Sequence, residues 1–375
     1  MSTRPLVLCF ALVVVGTASA TGIQLIGGCD TPGEAYCVVV SGDYAYVADG
    51  HTGLRVISVA DPAHPVEVGY YDTPGWAHGV AVNGDYAYVA DYDSGLRVIS
   101  VADPSHPTEV GHFDTPGMAC GVAVNGDRVY VADDTAGLRI VSVSDPANPV
   151  EVGFCDASDR TWGVAVRGDT VHAASIDLGF TIISAVDPAN PVIVGGFYQF
   201  LTHTLGGVAV SGNYAYITHD PLGLVILSFA PCQVVGSCGD YYRAGGVAVS
   251  HGYAYVAADE DGLLAVSVAD PTHPIQVGSY DALNWWANGV TVNAGYVYVA
   301  YGMAGLQVFQ GLGGVEDGSK PQAPSRKPAA SVVRHLPART VAFDALGRRV
   351  SSLKTGVYFT RETPAHVVTK IVLAR

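Results

Sequence analysis

Residues 79–111, GVAVNGDYAYVADYDSGLRVISVADPSHPTEVG, decide the fold of this chain. They hold four short apolar segments: Gly-Val-Ala-Val, Tyr-Ala-Tyr-Val-Ala, Gly-Leu-Arg-Val-Ile-Ser-Val and Thr-Glu-Val-Gly. Runs of Val, Ile and Tyr bounded by Gly, Pro, Asn and Asp predict β-strands. Four strands in a unit of about 42 residues are typical of one blade of a β-propeller.

The unit occurs seven times, with first strands beginning at residues 37, 79, 121, 163, 207, 246 and 289. A pair such as Asn-Gly follows each first strand and predicts a type I′ hairpin turn with Gly second, because glycine adopts positive φ without strain. Asp-Pro follows the third strand in five copies, where Pro fixes φ and Asp bonds the backbone after it. The predicted fold class is all-β, a seven-bladed β-propeller.

The two ends of the repeat region complement each other. Residues 23–27, Ile-Gln-Leu-Ile-Gly, resemble a fourth strand, and the last copy lacks one. We therefore predict that the N-terminal strand completes the last blade and closes the ring. The alternative is an open solenoid, which normally carries atypical polar caps. The fourth strands place Glu67, Glu109 and Glu151 between apolar or small residues, which is expected to discourage pairing at the outer edge.

Residues 1–20 have the pattern of a secretory signal peptide. Arg4 precedes an apolar run over 6–15, and Ala18-Ser19-Ala20 supplies the small residues of a cleavage site. The run is too short to span a bilayer, and no later segment is apolar for long enough, so we expect no transmembrane segment in the mature chain. The predicted localisation is extracellular or at the outer cell surface.

Charge divides the rest of the chain into two units. Residues 21–312, the predicted propeller, hold 30 acidic residues against 7 Arg and no Lys, whereas residues 313–375 hold 11 basic against 4 acidic residues. The acidic body argues against a nucleic-acid partner. Residues 313–330 are rich in Gly, Pro, Ser and Lys and are predicted to be a flexible linker to a small C-terminal unit, residues 331–375.

Six cysteines remain after the predicted signal, and export permits disulfides. Cys29 with Cys37, and Cys232 with Cys238, are close enough in sequence to be candidates for local bridges. An even count does not fix the pairing.

The segment Gly95-Leu-Arg-Val-Ile-Ser-Val-Ala-Asp103-Pro104 followed by Pro107-Thr-Glu-Val-Gly111 resembles the LVIVD-repeat family of bacterial surface propellers. The resemblance covers about residues 23–311. Ser100 and its equivalents stand where the family usually has an acid, and Pro231-Cys232 replaces the Asp-Pro turn in the fifth copy. The resemblance implies the fold and export, without a defined activity.

The C-terminal unit resembles the sorting domain of type IX secretion cargo. Phe343-Asp-x-x-Gly-Arg-x-Val350, Gly356-Val-Tyr-Phe359 and a basic final strand ending at Arg375 carry the resemblance. It implies that the secretion machinery recognises the tail and that the tail is often removed. The alternative is a small basic β-domain that docks on the acidic propeller.

The irregular positions of the repeat lie in the connection from strand four to the next strand one, which opens at the mouth of the central channel. All four Trp fall there. Varied aromatic and polar residues at one mouth suit a binding site for a glycan or peptide. The alternative is that the Trp side chains pack between blades or plug the channel. The candidate binding residues are Glu34, Tyr36, Trp76, His78, Arg160, Trp162, His203, Arg243, Trp285, Trp286 and Asn288.

No triad or other catalytic signature is visible, and no cofactor or metal is predicted. Asp49, Asp91 and Asp133 are expected to bond turn backbone rather than calcium. His172 stands where six blades have Tyr and is expected to be a packed core residue. We therefore favour a binding or scaffolding module over a lyase or hydrolase that uses His78, Arg160 and His203, and over a structural surface-layer component.

Overall fold

The computed structural model describes residues 23–156, 160–176, 179–198, 205–239, 244–281 and 285–312, together with the backbone of four strands between 342 and 373. The chain divides into two compact units, residues 1–315 and 316–375. The first is an all-β propeller of seven four-stranded antiparallel sheets. Among the residues described, no helix is long and apolar enough to cross a membrane.

Each blade uses consecutive strands, except the last. Strand β1 spans Gln24–Cys29. Blade 1 comprises β2 Cys37–Ser41, β3 Tyr44–Ala48, β4 Leu54–Ser58 and β5 Val66–Tyr71. Blade 2 comprises β6 Gly79–Asn83, β7 Tyr86–Ala90, β8 Leu96–Ser100 and β9 Thr108–Phe113. Blade 3 comprises β10 Gly121–Asn125, β11 Arg128–Ala132, β12 Leu138–Ser142 and β13 Val150–Cys155. Blade 4 comprises β14 Thr161–Arg167, β15 Thr170–Ser175, β16 Gly179–Ser184 and β17 Val192–Phe197.

Blade 5 comprises β18 Leu205–Ser211, β19 Tyr214–His219, β20 Gly223–Phe229 and β21 Cys232–Cys238. Blade 6 comprises β22 Val247–Ser250, β23 Tyr253–Ala257, β24 Leu263–Ser267 and β25 Ile275–Tyr280. Blade 7 contains β26 Gly289–Asn293, β27 Tyr296–Ala300 and β28 Leu306–Gln310. The C-terminal unit has a sheet of β29 Ala342–Phe343, β30 Arg349–Val350, β31 Gly356–Glu362 and β32 Val367–Leu373 in the order β30-β29-β31-β32.

The outer strand of blade 7 comes from the start of the described chain. The sheet order is β1-β28-β27-β26, with β1 antiparallel to β28. The register pairs Gln24 with Gln310 and Cys29 with Leu306, and a bulge lies between Leu25 and Gly27. Blade 7 therefore has the same four-stranded form as the other six.

The first hairpin turns differ from the predicted type I′ in five blades. Ser41 pairs with Tyr44, so the turn residues are Gly42 and Asp43, and Gly42 is first with φ of 58°. Positive φ at the first turn position alone is the pattern of type II′, which also suits a β-hairpin. In blade 6, His251 and Gly252 both have positive φ, as type I′ requires.

The predicted Asp-Pro turns are confirmed. The Asp61 carboxylate accepts a hydrogen bond from the Ala63 backbone N–H at 3.1 Å, and the same bond recurs in the other four copies. These turns also pack against the preceding blade. A Cβ on Gly69, Gly111 or Gly236 would meet the carbonyl oxygen of the proline in the next blade's turn. Only glycine allows this approach.

The glutamates of the fourth strands are partly exposed at the sheet edges and also contact arginines of the third strands. Glu109 lies 3.4 Å from Arg97 of strand β8, whose Nε is 3.7 Å from the buried Asp91 carboxylate. Blades 1 and 3 repeat the arrangement with Arg55 and Arg139. A buried guanidinium requires such partners, so these glutamates complete an internal ion network.

The six described cysteines are free thiols, so neither candidate local disulfide is present. Cys232 and Cys238 stand at opposite ends of strand β21, which separates them by about 20 Å. A disulfide needs Cα atoms within about 7 Å. Cys29 packs between blades 7 and 1, whereas Cys37 packs between blades 1 and 2.

His172 occupies the core, as predicted from its place in the repeat. It is 3% exposed and stacks on Phe229 with ring centroids 4.9 Å apart. Burial, with a smaller contribution from the Arg167 charge, lowers its pKa to about 4.

We expect this histidine to make the protein acid-sensitive. Between pH about 6.5 and about 4 the unfolded chain binds a proton at residue 172 that the native state does not, so native stability falls as pH falls through this window. The variant His172→Tyr lacks this loss. The melting temperature should fall further between pH 7.5 and pH 4.5 for the native chain than for the variant. A matched His64→Asn variant, altered in an exposed turn, should behave like the native chain, and equal pH responses of all three proteins would contradict the prediction.

Candidate functional site

The connections predicted to share one face of the propeller do lie together. Backbone bridges join the loop after the second strand of one blade to the segment entering the next blade: Gly50 to Ala77, Tyr92 to Ala119, Asp134 to Thr161 and Asp259 to Ala287. Ala35 and Gly302 make the same bridge between blades 7 and 1. These bridges fix the backbone that carries the aromatic residues of the mouth.

An aromatic cluster occupies the mouth at blades 1, 2 and 4. The His78 ring stacks on Tyr36 at 4.9 Å and meets the edge of Trp162 at 5.4 Å. Tyr36 also meets Trp76 in a T-shaped contact at 6.1 Å. Four of the eleven candidate binding residues are thus brought into one cluster, although they come from segments up to 126 positions apart.

The cluster lines an open cavity of about 620 Å³. Tyr92 and Asp93, from the loop after β7, complete its wall, and Trp76 is 37% exposed. Pockets of this size with aromatic walls and few polar groups commonly hold small ligands. The lining residues are Tyr36, Pro74, Gly75, Trp76, His78, Tyr92, Asp93 and Trp162.

Hydrogen bonds hold two of these rings in place. His78 Nδ1 lies 3.1 Å from the Cys120 carbonyl oxygen, and because a carbonyl only accepts, Nδ1 carries the proton. Burial lowers the pKa of His78, so its ring is neutral at neutral pH. The Tyr36 hydroxyl donates to Glu34 Oε2 at 2.8 Å. Burial and the Glu34 carboxylate raise the pKa of Tyr36, which keeps the phenol protonated.

The remaining predicted residues that the structure describes do not line this cavity. Trp285 and Trp286 lie at the entrance to blade 7 and are 48% and 49% exposed. Asn288 donates from Nδ2 to the Ala35 carbonyl at 2.9 Å, which links blade 7 to blade 1. Arg160 is exposed at the entrance to blade 4. The candidates His203 and Arg243 lie outside the described residues.

Sequence reasoning missed Tyr92 as a wall residue of the cavity. Its position in the connection between strands two and three was the available signal, because that connection lies on the same face. Tyr92 adopts a φ of 52°, which is uncommon for a residue with a bulky side chain. His51, 5.6 Å from the Trp76 ring, extends the aromatic cluster and was missed for the same reason.

The acidic residues at the ends of the second strands hold the loops of the mouth. Asp91 accepts from Thr73 Oγ1 at 2.5 Å and from the Gly75 backbone N–H at 2.8 Å. Asp49 makes the same pair of bonds to Thr31 and Gly33. In the part of the chain that the structure describes, no group of three or more His, Cys, Asp or Glu side chains is arranged to hold a metal ion.

The channel below the mouth is narrow and apolar. Its cavity of about 390 Å³ is lined mainly by the Gly and Val residues of the first strands. His78, Asn288 and Asp259 stand among the polar residues that line it. The channel therefore offers few groups for polar recognition, whereas the mouth above it offers several.

The seven sheets and the aromatic cleft at the channel mouth define the class of this protein as a β-propeller repeat protein. The chain belongs to the LVIVD-repeat family, whose model matches residues 32–73, 74–115, 116–157, 206–227 and 243–282, about half of the chain. No curated protein matches it. Its fold is similar to the crystal structure of the computationally designed Ika8 protein in one crystal packing, with 8% identity and a TM-score of 0.57 over 76% of this chain and 99% of that chain.

Proposed function

We propose that this protein is an exported binding module that holds a ligand in the aromatic cleft at the channel mouth. The observation that carries the proposal is the clustering of Tyr36, Trp76 and Trp162 around the cavity of about 620 Å³. Trp76 is 37% exposed although the side chain is large and apolar. Exposed aromatic rings in a concave site are a feature of ligand recognition.

The charges at the cleft indicate the class of ligand. Among the residues that the structure describes, its lining contains Asp93 and no Lys or Arg, and Glu34 stands behind Tyr36. The region 21–312 is strongly acidic as well. An anionic ligand would be repelled, so neutral or cationic ligands are favoured. A neutral glycan, or a peptide with basic residues, fits the aromatic walls and the single lining carboxylate.

Replacing Trp162 or Trp76 with alanine is expected to weaken ligand binding strongly, because each substitution removes one wall of the cleft. Binding of the full chain to immobilised neutral glycans and to basic and acidic peptides is the measurement. Loss of a central aromatic residue in a binding site commonly costs about 2 kcal/mol or more, about thirtyfold in affinity.

Trp285→Ala is the matched control, since Trp285 is at least as exposed as Trp76 and lies outside the cavity. It is expected to leave affinity unchanged. Equal loss of affinity in Trp285→Ala and Trp162→Ala, or binding that survives both cleft variants, would reject the cleft as the site. Turnover of a bound glycan or peptide would favour an enzyme instead.

We also infer that strand β1 closes the ring. Its antiparallel pairing with β28 supports closure, as does Gly27. A Cβ on Gly27 would meet the Pro62 carbonyl of blade 1, as a Cβ on Gly69, Gly111, Gly153 or Gly236 would meet the equivalent carbonyl of the next blade. Gly27→Ala is then expected to destabilise the propeller by as much as the equivalent substitution Gly153→Ala. A neutral effect of Gly27→Ala would contradict closure.

Export through residues 1–20 and sorting through residues 331–375 complete the proposal. The signal-like N-terminus and the resemblance of the basic tail to type IX cargo support it. Deletion of 331–375 in a bacterium with that secretion system is expected to leave the protein in the periplasm, measured by fractionation. Deletion of the linker segment 316–330 is the control and should permit export. Normal surface delivery without 331–375 would reject the sorting role.

A further inference from the structure

A second cavity, of about 600 Å³, lies between blades 4 and 5. Arg167 and Thr170 border it from the first hairpin of blade 4, and Phe229 and Cys232 from the hairpin between β20 and β21 of blade 5. His172 and Val194 also line it. None of these residues lines the aromatic cleft, so the two cavities are separate.

Two departures from the repeat create this cavity. His172 stands where six blades have the longer Tyr. Blade 5 also lacks the Asp-Pro turn that packs on the preceding fourth strand elsewhere, so a Cβ on Gly195 would meet only the Ile182 side chain. The family model matches neither blade 4 nor the fourth strand of blade 5. Specific substitutions at one blade interface have therefore left a space that the regular interfaces fill.

A buried polar residue, His172, packs beside the cavity. His172 is 3% exposed, and its Nδ1 has no hydrogen-bond partner among the described residues. The imidazole stacks between Phe229, at 4.9 Å, and Phe180, at 5.9 Å, which fixes the plane of the ring. Replacement of Tyr by His at this position therefore leaves an unpartnered polar atom beside the cavity.

Arg167 is the charged residue of the lining. One of its N–H groups donates to the Gly212 carbonyl of the next blade. A guanidinium has five N–H donors in a fork that matches a carboxylate, so the remaining donors suit an anionic group. Phe229, Val194 and Ile182 supply apolar wall on the other side. The lining therefore combines one cationic group with a largely apolar surface.

We propose that this cavity binds a small organic carboxylate with an apolar body. Arg167 binds the carboxylate, and Phe229 and Val194 contact the apolar part beside the His172 ring. The site is independent of the channel mouth and of the function proposed for the mouth.

Calorimetric titration of the full chain with benzoate and hexanoate, and with the matched amides benzamide and hexanamide, tests the proposal. Saturable binding of a carboxylate, at least about tenfold tighter than its amide, is expected because charge-assisted hydrogen bonds are lost in the amide. Arg167→Gln should weaken carboxylate binding by a similar factor. Trp76→Ala, at the mouth, should leave it unchanged.

His172→Tyr provides the sharpest variant because it restores the residue of the other six blades and fills the space. It is expected to fold, shown by an undiminished melting temperature at pH 7.5, and to lose carboxylate binding. The proposal is overturned if neither carboxylate binds at millimolar concentration, if the amides bind equally well, or if binding persists in both Arg167→Gln and His172→Tyr.

Discussion

Replacing Gly153 with alanine is expected to destabilise the propeller by about 2–3 kcal/mol, a fall of about 5 °C in melting temperature. Gly153 lies on the outer strand of blade 3, where the Asp-Pro turn of blade 4 packs against it. A Cβ at this position would meet the Pro188 carbonyl oxygen and lie 3.1 Å from the Ala189 Cα. Both neighbours are backbone atoms, so relief requires that two blades move apart.

Gly195 is the matched control because it has the same place in blade 4. A Cβ there would lie 3.5 Å from Ile182 Cδ1, an ordinary contact, since blade 5 lacks the turn. Gly195→Ala is expected to change stability by less than about 1 kcal/mol, and in the stabilising direction because alanine restricts the unfolded chain. Differential scanning calorimetry of the two variants is the measurement. Similar destabilisation in both would show that the effect comes from the strand itself and not from the next blade.

Replacing Asp91 with alanine is expected to cost about 3–5 kcal/mol. The substitution leaves the Arg97 guanidinium, 11% exposed, without its buried carboxylate neighbour at 3.7 Å. It also removes the acceptor of the Thr73 hydroxyl and of the Gly75 N–H, which tie the mouth loop to blade 2. The loss therefore combines a guanidinium that keeps Glu109 but has lost its buried carboxylate neighbour with two unpaired donors.

A second substitution separates these contributions. Blade 6 has Ala258 and Leu264 where blade 2 has Asp91 and Arg97, and it packs without the ion network. Adding Arg97→Leu to Asp91→Ala removes the guanidinium that has lost its buried partner, so the double variant should lose about 1–3 kcal/mol less than the sum of the single losses.

Denaturant unfolding of the four proteins in this cycle gives the coupling energy. Asp93→Ala, in the exposed part of the same loop, is the control and should lie within about 0.5 kcal/mol of the native chain. Strict additivity of Asp91→Ala and Arg97→Leu would mean that the network contributes nothing beyond its separate residues.

Most of the propeller fold can be predicted from short-range patterns in the sequence. The runs of Val, Ile and Tyr and the Asp-Pro turns are local signals, and all seven blades were located from them. The turn type was wrong in five blades because the register of the hairpin, Ser41 opposite Tyr44, moves Gly42 to the first turn position. A shift of one residue in pairing is not visible in composition.

The candidate site was predicted only as a face of the ring. The sequence placed Tyr36, Trp76, His78 and Trp162 at one mouth, but it did not distinguish them from Trp285, which lies outside the cavity. Which aromatic residues meet depends on how the blades are arranged around the axis. His78 reaches Trp162 across an intervening blade because first strands converge at the channel.

The repeat of about 42 residues by itself determined the class of fold, the number of blades and the face on which irregular residues gather, because strands and turns respond to neighbours in sequence. Tertiary structure alone decided which residues form the cleft and why Glu109 is partly buried against Arg97. It also decided that the loss of one Asp-Pro turn and one Tyr leaves a cavity between blades 4 and 5. Those properties arise between blades, where side chains distant in sequence share the same space.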